Sequence, residues 1–286
     1  MFKSIGHYLS LVKFSHTLFA LPFAATGFLL AIQQAPEALS LYLALKVLLC
    51  MVFARSAAMS FNRWADRNID AHNPRTAARE IPSGIIGSNA ALAFCILNCV
   101  AFITTTWFIN PLCFYLSFVA LAVVLGYSYT KRFTSLCHLF LGLGLSLAPV
   151  GAWLAVTGTF HPAPIYLAAA VLCWVGGFDI IYALQDSEFD RSNGLHSLPS
   201  RFGNRKALGI SRSLHIASAL FLISVGLQAG LGLVYYMGCM IFILLLFTQH
   251  RLVKPNDLSK VNMAFFTSNG LASILFFLFT LLDAVL

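Results

Sequence analysis

Residues 55–84 read RSAAMSFNRWADRNIDAHNPRTAAREIPSG and place Asn62, Asp66 and Asp70 at a strict spacing of four. Residues i, i+4 and i+8 of a helix lie on one face, so we expect the amide and both carboxylates to point the same way. Two carboxylates one turn apart repel each other unless a cation lies between them. Mg²⁺ suits this arrangement because it binds one or two protein carboxylates together with a phosphate. We call these three residues the first acidic motif.

The chain around this motif is mostly hydrocarbon. Of its 286 residues, 59% are hydrophobic and 10% are charged. Charged residues make up about 25% of a soluble domain, so the composition excludes an ordinary soluble globular protein. The seven cysteines are scattered without CxxC or Cys/His metal spacing, and we expect them to be reduced and buried.

The apolar stretches are long enough to cross a bilayer, which takes roughly 20 residues each. We predict an all-α integral membrane protein whose nine helices surround a central cavity open to the cytoplasmic side. The whole chain, residues 1–286, is expected to form a single multi-span domain. The predicted spans are residues 15–33, 39–61, 86–109, 111–129, 134–157, 163–184, 207–229, 231–249 and 262–284.

The connections between these spans alternate in charge. QQAPEALS, INP, GTFHPA and the turn at Gly230 hold no Lys or Arg, whereas the other connections are basic. The positive-inside rule makes the basic set cytoplasmic, with the N-terminus inside. The net charge of +8 then reflects topology and the site, and we expect no nucleic-acid partner. The basic set comprises Lys3, Lys13, Arg63, Arg67, Arg75, Arg79, Lys131, Arg132, Arg191, Arg201, Arg205, Lys206, Arg251, Lys254 and Lys260.

A second acidic motif lies at the end of the sixth predicted span. Residues 179–190 read DIIYALQDSEFD and carry Asp179, Tyr182, Asp186 and Asp190. Its position, four spans after the first motif, indicates an internal duplication. Ionisable groups at membrane depth are costly and mark functional sites. Seven of the ten acidic residues lie in the two regions, namely Asp66, Asp70, Glu80, Asp179, Asp186, Glu188 and Asp190.

Two Mg²⁺-binding carboxylate sets that face each other would form a clamp for a diphosphate and stabilise it as it departs. Lys131 and Arg132 would add positive charge. An apolar body with 26 Phe residues could house a long apolar tail and stabilise a carbocation through cation–π contacts. This combination describes transfer of an isoprenoid from its diphosphate to an acceptor. Further candidate cations are Arg75, Arg79, Arg191 and Arg201.

Three stretches of the chain resemble the UbiA family of membrane-embedded aromatic polyprenyltransferases. NRWADRNIDAHNPRTAAREIPSG resembles its NxxxDxxxD motif, GGFDIIYALQDSEFDRSNGLHSLPSRFG its DxxYxxxDxxxD motif, and YSYTKRFT its short basic loop. The resemblance covers nearly the whole chain. It implies attachment of a polyprenyl chain to 4-hydroxybenzoate in ubiquinone synthesis or to a hydroxynaphthoate in menaquinone synthesis. It also implies a bacterial inner membrane, with the active site facing the cytoplasm.

The resemblance assigns catalytic and metal-binding roles to both motifs, with two Mg²⁺ ions expected. One ion would be held by Asn62, Asp66 and Asp70, and the other by Asp186 and Asp190. The remaining members of the second motif, Asp179 and Tyr182, would position the allylic carbon or the acceptor.

Substrate-binding roles follow from the same resemblance. Arg55, two helical turns before Asn62, would pair with the carboxylate of the aromatic acid, which suits a bidentate guanidinium. Lys131, Arg132 and the loop cations Arg75 and Arg79 would bind the diphosphate together with His196. The expected partners are therefore polyprenyl diphosphate, an aromatic acid and the bilayer, without an obligatory protein partner.

Two positions depart from the most familiar family pattern. Arg63 follows Asn62 where many members carry Asp, and His196 stands where members of the ubiquinone branch often carry Lys. Both departures resemble a bacterial branch that includes naphthoate prenyltransferases. They leave the acceptor open.

Simpler readings exist for several of these residues. Lys131 and Arg132 could be topology anchors, and Arg55 could have a structural partner. The alternative function is an ion- or proton-coupled transporter, which predicts acidic residues near the middle of broken helices. In this chain the acidic residues lie at helix ends beside arginines, which favours a diphosphate ligand.

Overall fold

The computed structural model describes residues 2–12 and 17–286, so Lys13 and the start of the first predicted span lie outside the described residues. Helices make up most of this part of the chain, which confirms the predicted all-α fold. They are α1 (Phe2–Leu11), α2 (Thr17–Gln34), α3 (Leu41–Ala65), α4 (Arg67–His72), α5 (Ser88–Trp107), α6 (Pro111–Thr130), α7 (Cys137–Thr157), α8 (Pro162–Ala183), α9 (Ser187–Ser192), α10 (Leu198–Ala229), α11 (Leu233–Leu252), α12 (Val261–Met263) and α13 (Asn269–Val285).

Eight stretches of the described chain are long and apolar enough to span a membrane. They are Leu41–Ala65, Ser88–Trp107, Pro111–Thr130, Cys137–Thr157, Pro162–Ser192, Asn204–Ala229, Leu233–Leu252 and Val261–Val285. A shorter apolar helix, Ala20–Gln34, occupies the position of the first predicted span. Each of the nine predicted spans therefore corresponds to a helix, although one of them is short in the described residues.

Local sequence signals set several helix ends. The Ser40 side chain accepts a hydrogen bond from the Leu43 N–H at 3.1 Å and caps α3. Gly158 and Gly230 end α7 and α10 in the left-handed conformation, with φ of 65° at both residues. Glycine adopts this conformation without the steric penalty of a Cβ, which explains a stop at these positions. The predicted seventh span, residues 207–229, agrees with the apolar stretch Asn204–Ala229, while the helix α10 begins earlier, at Leu198, and is kinked at Gly203.

The chain divides into two compact units. Unit 1 consists of Met1–Thr17 and Ser40–Tyr129, and in it α3 packs along α5. The Cys95 thiol donates to the Ala57 carbonyl oxygen at 3.4 Å, so the two helices approach closely at small residues. The first acidic motif lies in this unit.

Unit 2 consists of Leu18–Leu39 and Thr130–Leu286 and contains the second acidic motif. In it α8 packs between α7 and α10, and α11 packs on α13. The core is aromatic: the Phe23 ring lies 4.9 Å from Trp174 and 5.4 Å from Phe276, measured between ring centroids. Burial of such rings is a major source of packing energy. The single domain predicted over residues 1–286 stays a prediction.

Candidate functional site

The first acidic motif lies at a break between two helices. α3 ends at Ala65, Asp66 has φ −92° and ψ 3°, and α4 begins at Arg67. The helix geometry assumed for the spacing of the motif is therefore interrupted at Asp66. The register is nevertheless kept, because the Asp66 N–H donates to the Asn62 carbonyl at 2.9 Å and the Asp70 N–H to the Asp66 carbonyl at 2.8 Å. Residues with these angles are frequent in active sites.

Both carboxylates of this motif are buried and have polar partners. Asp66 is 2% exposed and Asp70 is 4% exposed. The Asn62 Nδ2 donates to Asp66 Oδ2 at 3.2 Å. The Arg79 Nη1 donates to Asp70 Oδ1 at 2.7 Å and to Asp70 Oδ2 at 2.8 Å. The structure thus brings one predicted loop cation directly onto a predicted metal ligand.

The loop after α4 is shaped by local hydrogen bonds that carry Arg79 back toward the motif. The Arg75 N–H donates to Asn73 Oδ1 at 2.9 Å, and the Thr76 hydroxyl donates to the Asp70 carbonyl at 3.1 Å. Such side-chain to backbone bonds are typical of tight turns. Arg75 itself is exposed. Its predicted contact with a diphosphate stays a prediction.

Arg63 is one of the two residues that depart from the pattern of the resembled family, and it is 4% exposed. It lies within electrostatic reach of Asp70, Glu80 and Arg79. A positive charge here partly neutralises the buried carboxylates. Arg55 is half-buried on α3, where the Tyr127 hydroxyl lies within electrostatic reach of its guanidinium.

The donor atoms of the first motif fit Mg²⁺. The Asn62 amide nitrogen donates to Asp66, so the amide oxygen of Asn62 is the atom that would bind a cation. The carboxylates of Asp66 and Asp70 follow four and eight residues later in the sequence. In the described part of the chain, no group of three or more His, Cys, Asp or Glu residues could hold a metal on its own. Mg²⁺ does not need one, because it commonly uses one or two carboxylates with water and phosphate oxygens.

The second acidic motif repeats the backbone break of the first. α8 ends at Ala183, a 3₁₀ turn covers Leu184–Asp186, and α9 begins at Ser187. Asp186 has φ −104° and ψ 4°, close to the values at Asp66. The middle aspartate of each motif therefore sits at the same kind of helix break, which is consistent with the predicted duplication.

The carboxylates of the second motif have different partners. The Asp179 Oδ2 lies 2.7 Å from Nδ1 of His138. Asp190 lies within electrostatic reach of Asp186 and Lys131, and the Ser197 hydroxyl is within hydrogen-bonding reach of its carboxylate. The structure thus places Lys131 of YSYTKRFT near Asp190 of the second motif, and its expected contact with a diphosphate stays a prediction.

Tyr182 faces an aromatic cluster. Its ring centroid lies 4.3 Å from that of Phe265 and 6.5 Å from that of Phe266. Both phenylalanines belong to a π-helical turn, Ala264–Ser268. Turns of this type often occur at functional sites. This cluster was missed by the sequence analysis, because a π-turn has no pattern that distinguishes it from an ordinary apolar helix.

The connection between α6 and α7 is joined to the loop before α10. The His196 N–H donates to the Lys131 carbonyl at 2.7 Å, and the Cys137 thiol donates to the His196 carbonyl at 3.4 Å. The Arg201 Nη1 donates to the Ser135 hydroxyl at 3.3 Å. The structure therefore holds this loop through the backbone of His196, whose side chain is exposed.

The remaining predicted cations of this region have less central positions. The Arg191 Nε donates to the Ser200 carbonyl at 3.2 Å, so it supports the loop. Arg132 is exposed. The sequence analysis missed His138, because this residue has no metal spacing. The one feature that could have identified His138 is its position in the first turn of an apolar helix, directly after the basic connection.

Comparison with known proteins gives a consistent picture. The chain matches the sequence model described as the UbiA prenyltransferase family over residues 20–278. It is 32% identical over 239 residues to the 4-hydroxybenzoate octaprenyltransferase of Shewanella sediminis, covering 81% of this chain and 82% of that protein. The enzyme of the same name from Nitrosospira multiformis is 32% identical over 251 residues, covering 87% and 85%.

Solved structures share the fold. The apo structure of a UbiA homolog from Aeropyrum pernix K1 superposes with a TM-score of 0.84 at 30% identity, covering 94% of this chain and 98% of that one. A UbiA homolog from Archaeoglobus fulgidus bound to GPP and Mg²⁺ has a TM-score of 0.73 at 23% identity, covering 98% and 100%. This second likeness is one of fold.

Proposed function

The chain belongs to the UbiA prenyltransferase family, and from this membership we propose that it transfers a polyprenyl chain to a ring carbon of an aromatic acid. The donor would be a polyprenyl diphosphate, and the acceptor 4-hydroxybenzoate or a hydroxynaphthoate. The product would enter ubiquinone or menaquinone synthesis. The curated relatives named 4-hydroxybenzoate octaprenyltransferase support an aromatic acceptor.

One observation carries the proposal: each acidic motif ends a candidate membrane span and breaks its helix at the middle aspartate. Breaks of this kind place carboxylates at the end of an apolar helix, where a charged headgroup and an apolar tail can bind together. A coupled transporter would place acidic residues at helix breaks near the middle of the span. Here the breaks follow the ends of the apolar helices at Ala65 and Ala183, and acidic residues at helix ends beside arginines fit a diphosphate–metal ligand.

We propose two Mg²⁺ sites, one at Asn62, Asp66 and Asp70 and one at Asp186 and Asp190. Mg²⁺ bound there would neutralise phosphate oxygens and stabilise the leaving diphosphate. The donor sets support this, because the first pairs an amide oxygen with two buried carboxylates. Arg79, already bonded to Asp70, would keep that carboxylate oriented before a metal and substrate bind.

The protein groups would guide the reaction around the departing diphosphate. The allylic C–O bond breaks, a ring carbon of the acceptor forms the new C–C bond, and the ring loses one proton. The diphosphate or a motif carboxylate would accept that proton. Tyr182 with Phe265 and Phe266 offers aromatic faces to the allylic cation, which such faces stabilise.

Binding of the acceptor is assigned to Arg55, whose guanidinium would pair with the aromatic carboxylate in two parallel hydrogen bonds. Lys131, Arg132 and Arg75 would add positive charge for the diphosphate. We propose that this site faces the cytoplasm of a bacterial inner membrane, because the basic connections lie at the same helix ends as the motifs.

The experiment that tests the proposal is a competition between acceptors. Purified protein in detergent would receive Mg²⁺, a long polyprenyl diphosphate and equal amounts of 4-hydroxybenzoate and dihydroxynaphthoate, and products would be weighed by mass spectrometry. Prenylated benzoate places the chain with its named relatives. Prenylation of the naphthoate alone would indicate that Arg63 and His196 mark a naphthoate-specific enzyme. Absence of any prenylated product, with intact diphosphate, contradicts the proposal.

A further inference from the structure

His138 uses both of its ring nitrogens. It lies in the first turn of α7 and is 2% exposed. Its Nδ1 is 2.7 Å from Asp179 Oδ2, and its Nε2 is 3.3 Å from the backbone nitrogen of Leu198. A buried imidazole with two partners of this kind has a fixed ring orientation.

The partners also fix where the proton sits. A backbone N–H can only donate, so Nε2 of His138 must be the unprotonated acceptor. Nδ1 then carries the proton and donates it to the Asp179 carboxylate. Since both nitrogens are occupied, the ring has no free position from which to pass a proton to a third group. The geometry therefore argues against a proton relay and for a positioning role.

The two bonds join three segments of unit 2. Asp179 lies near the end of α8, before the turn that carries Asp186. Leu198 is the first residue of α10, and His138 is the second residue of α7, directly after the basic connection. The loop before α10 is tied to the same connection through His196 and Lys131. One side chain thus connects Asp179 of the second motif to the start of α10, whose preceding loop is bonded to the backbone of Lys131.

We propose that His138 is a positioning residue for prenyl transfer. It holds the Asp179 carboxylate in one orientation and locks it to the start of α10. The inference rests on the proposed function, in which Asp179 orients the allylic carbon or the acceptor. Because Asp179 is 24% exposed on its side chain, it can meet a substrate, whereas buried His138 acts only through it.

Two substitutions separate this role from packing. His138→Leu removes both bonds, and we expect kcat to fall about 10- to 100-fold, as for a lost hydrogen bond to a charged group. His138→Gln keeps one donor and one acceptor on a planar amide, and we expect kcat within about 3-fold of the unsubstituted protein. The KM for polyprenyl diphosphate should stay within about 2-fold in both, because the metal-binding carboxylates are untouched.

His161 offers a matched control at the other end of α8. Its Nδ1 accepts the Ala163 N–H at 3.3 Å, the same type of bond that His138 accepts from Leu198. His161→Leu loses a histidine–backbone bond without touching an aspartate, so kcat should not change. An equal loss of kcat in His161→Leu and His138→Leu would overturn the proposal.

A double-substitution cycle tests whether His138 acts through Asp179. If it does, His138→Leu added to Asp179→Ala lowers kcat by less than about 2-fold, since the positioned group is already gone. A full additional loss in that background would contradict the proposal. Unchanged kcat in His138→Leu alone would also contradict it.

A spectroscopic readout is independent of turnover. The chain has 8 histidines, and ¹⁵N-histidine NMR with His138→Gln as the assignment control gives the tautomer of this ring. We expect protonated Nδ1, with its signal shifted in Asp179→Ala. Protonated Nε2 would overturn the inference even if His138→Leu failed to fold. If the unsubstituted protein shows the expected tautomer but prenylates no acceptor, the proposed function fails while the pairing stands.

Discussion

The pairing of Arg79 with Asp70 gives the sharpest test of the first motif. Arg79→Leu removes a cation that holds both oxygens of a buried carboxylate, at 2.7 and 2.8 Å. Breaking a fully buried pair costs about 3–5 kcal/mol, because one charge is left uncompensated. The Arg79 side chain is 23% exposed and Arg63 remains near Asp70, so we expect about 2 kcal/mol.

The assay is thermal unfolding of the purified protein in detergent without divalent cations. A loss of 2 kcal/mol corresponds to a fall in Tm of about 4–8 °C, using the relation for a chain of roughly this size. Arg79→Leu combined with Asp70→Asn should recover part of the loss, because the buried charge is then absent. The matched control is Arg205→Leu, an exposed arginine, for which we expect less than about 0.5 kcal/mol.

The reasoning fails if Arg79→Leu unfolds at the temperature of the unsubstituted protein. It also fails if Asp70→Asn adds its own loss to that of Arg79→Leu. Either result would mean that the pair is not a coupled, buried interaction. The prenyl-transfer assay on the same variant then shows whether Asp70 still supports turnover without its arginine.

Two further predictions concern unit 2. A Cβ on Gly177 would collide with the His215 ring, so Gly177→Ala should destabilise the protein by about 1–3 kcal/mol. A Cβ on Gly209 meets no atom within 4 Å, so Gly209→Ala should be neutral or stabilise the protein by up to about 1 kcal/mol. Thermal unfolding of both variants checks this, and equal Tm values would contradict it. Asp283 accepts two backbone N–H groups at the start of α11, at 2.8 and 3.1 Å. Asp283→Ala should cost about 1 kcal/mol and leave kcat unchanged, and a large loss of kcat in this variant would show that this helix end affects catalysis.

Most of the fold could be predicted from the sequence because membrane-spanning helices correspond to long apolar stretches. The bounds of α3, α5 and α6 follow from hydropathy and from end signals such as Ser40. α1 and the kink at Gly203 were not predicted. The kink depends on the backbone angles of Gly203, and the short helix α1 depends on tertiary contacts; hydropathy encodes neither.

The acidic motifs were predicted from spacing alone, since residues four apart share a helix face. The break at Asp66 was not predicted from the sequence. The hydrogen bonds from the Asp66 and Asp70 N–H groups are those of a helix, so the spacing of the motif is the same with and without the break. Two contacts of the site join residues far apart in sequence: His138 meets Asp179 across 41 positions, and Tyr182 meets Phe265. Contacts between separate helices depend on packing, which one sequence does not specify.

The most direct measurement of the central claim is the stoichiometry of one turnover. Protein, Mg²⁺, polyprenyl diphosphate and the preferred aromatic acid would be incubated, and prenylated acid and released diphosphate quantified together. The account predicts equal amounts of both, loss of both on chelation of Mg²⁺, and at least about a 100-fold decrease in Asp66→Ala and in Asp186→Ala, as for loss of charge stabilisation. Full activity in either variant or after chelation, or diphosphate released without a prenylated acid, would contradict it.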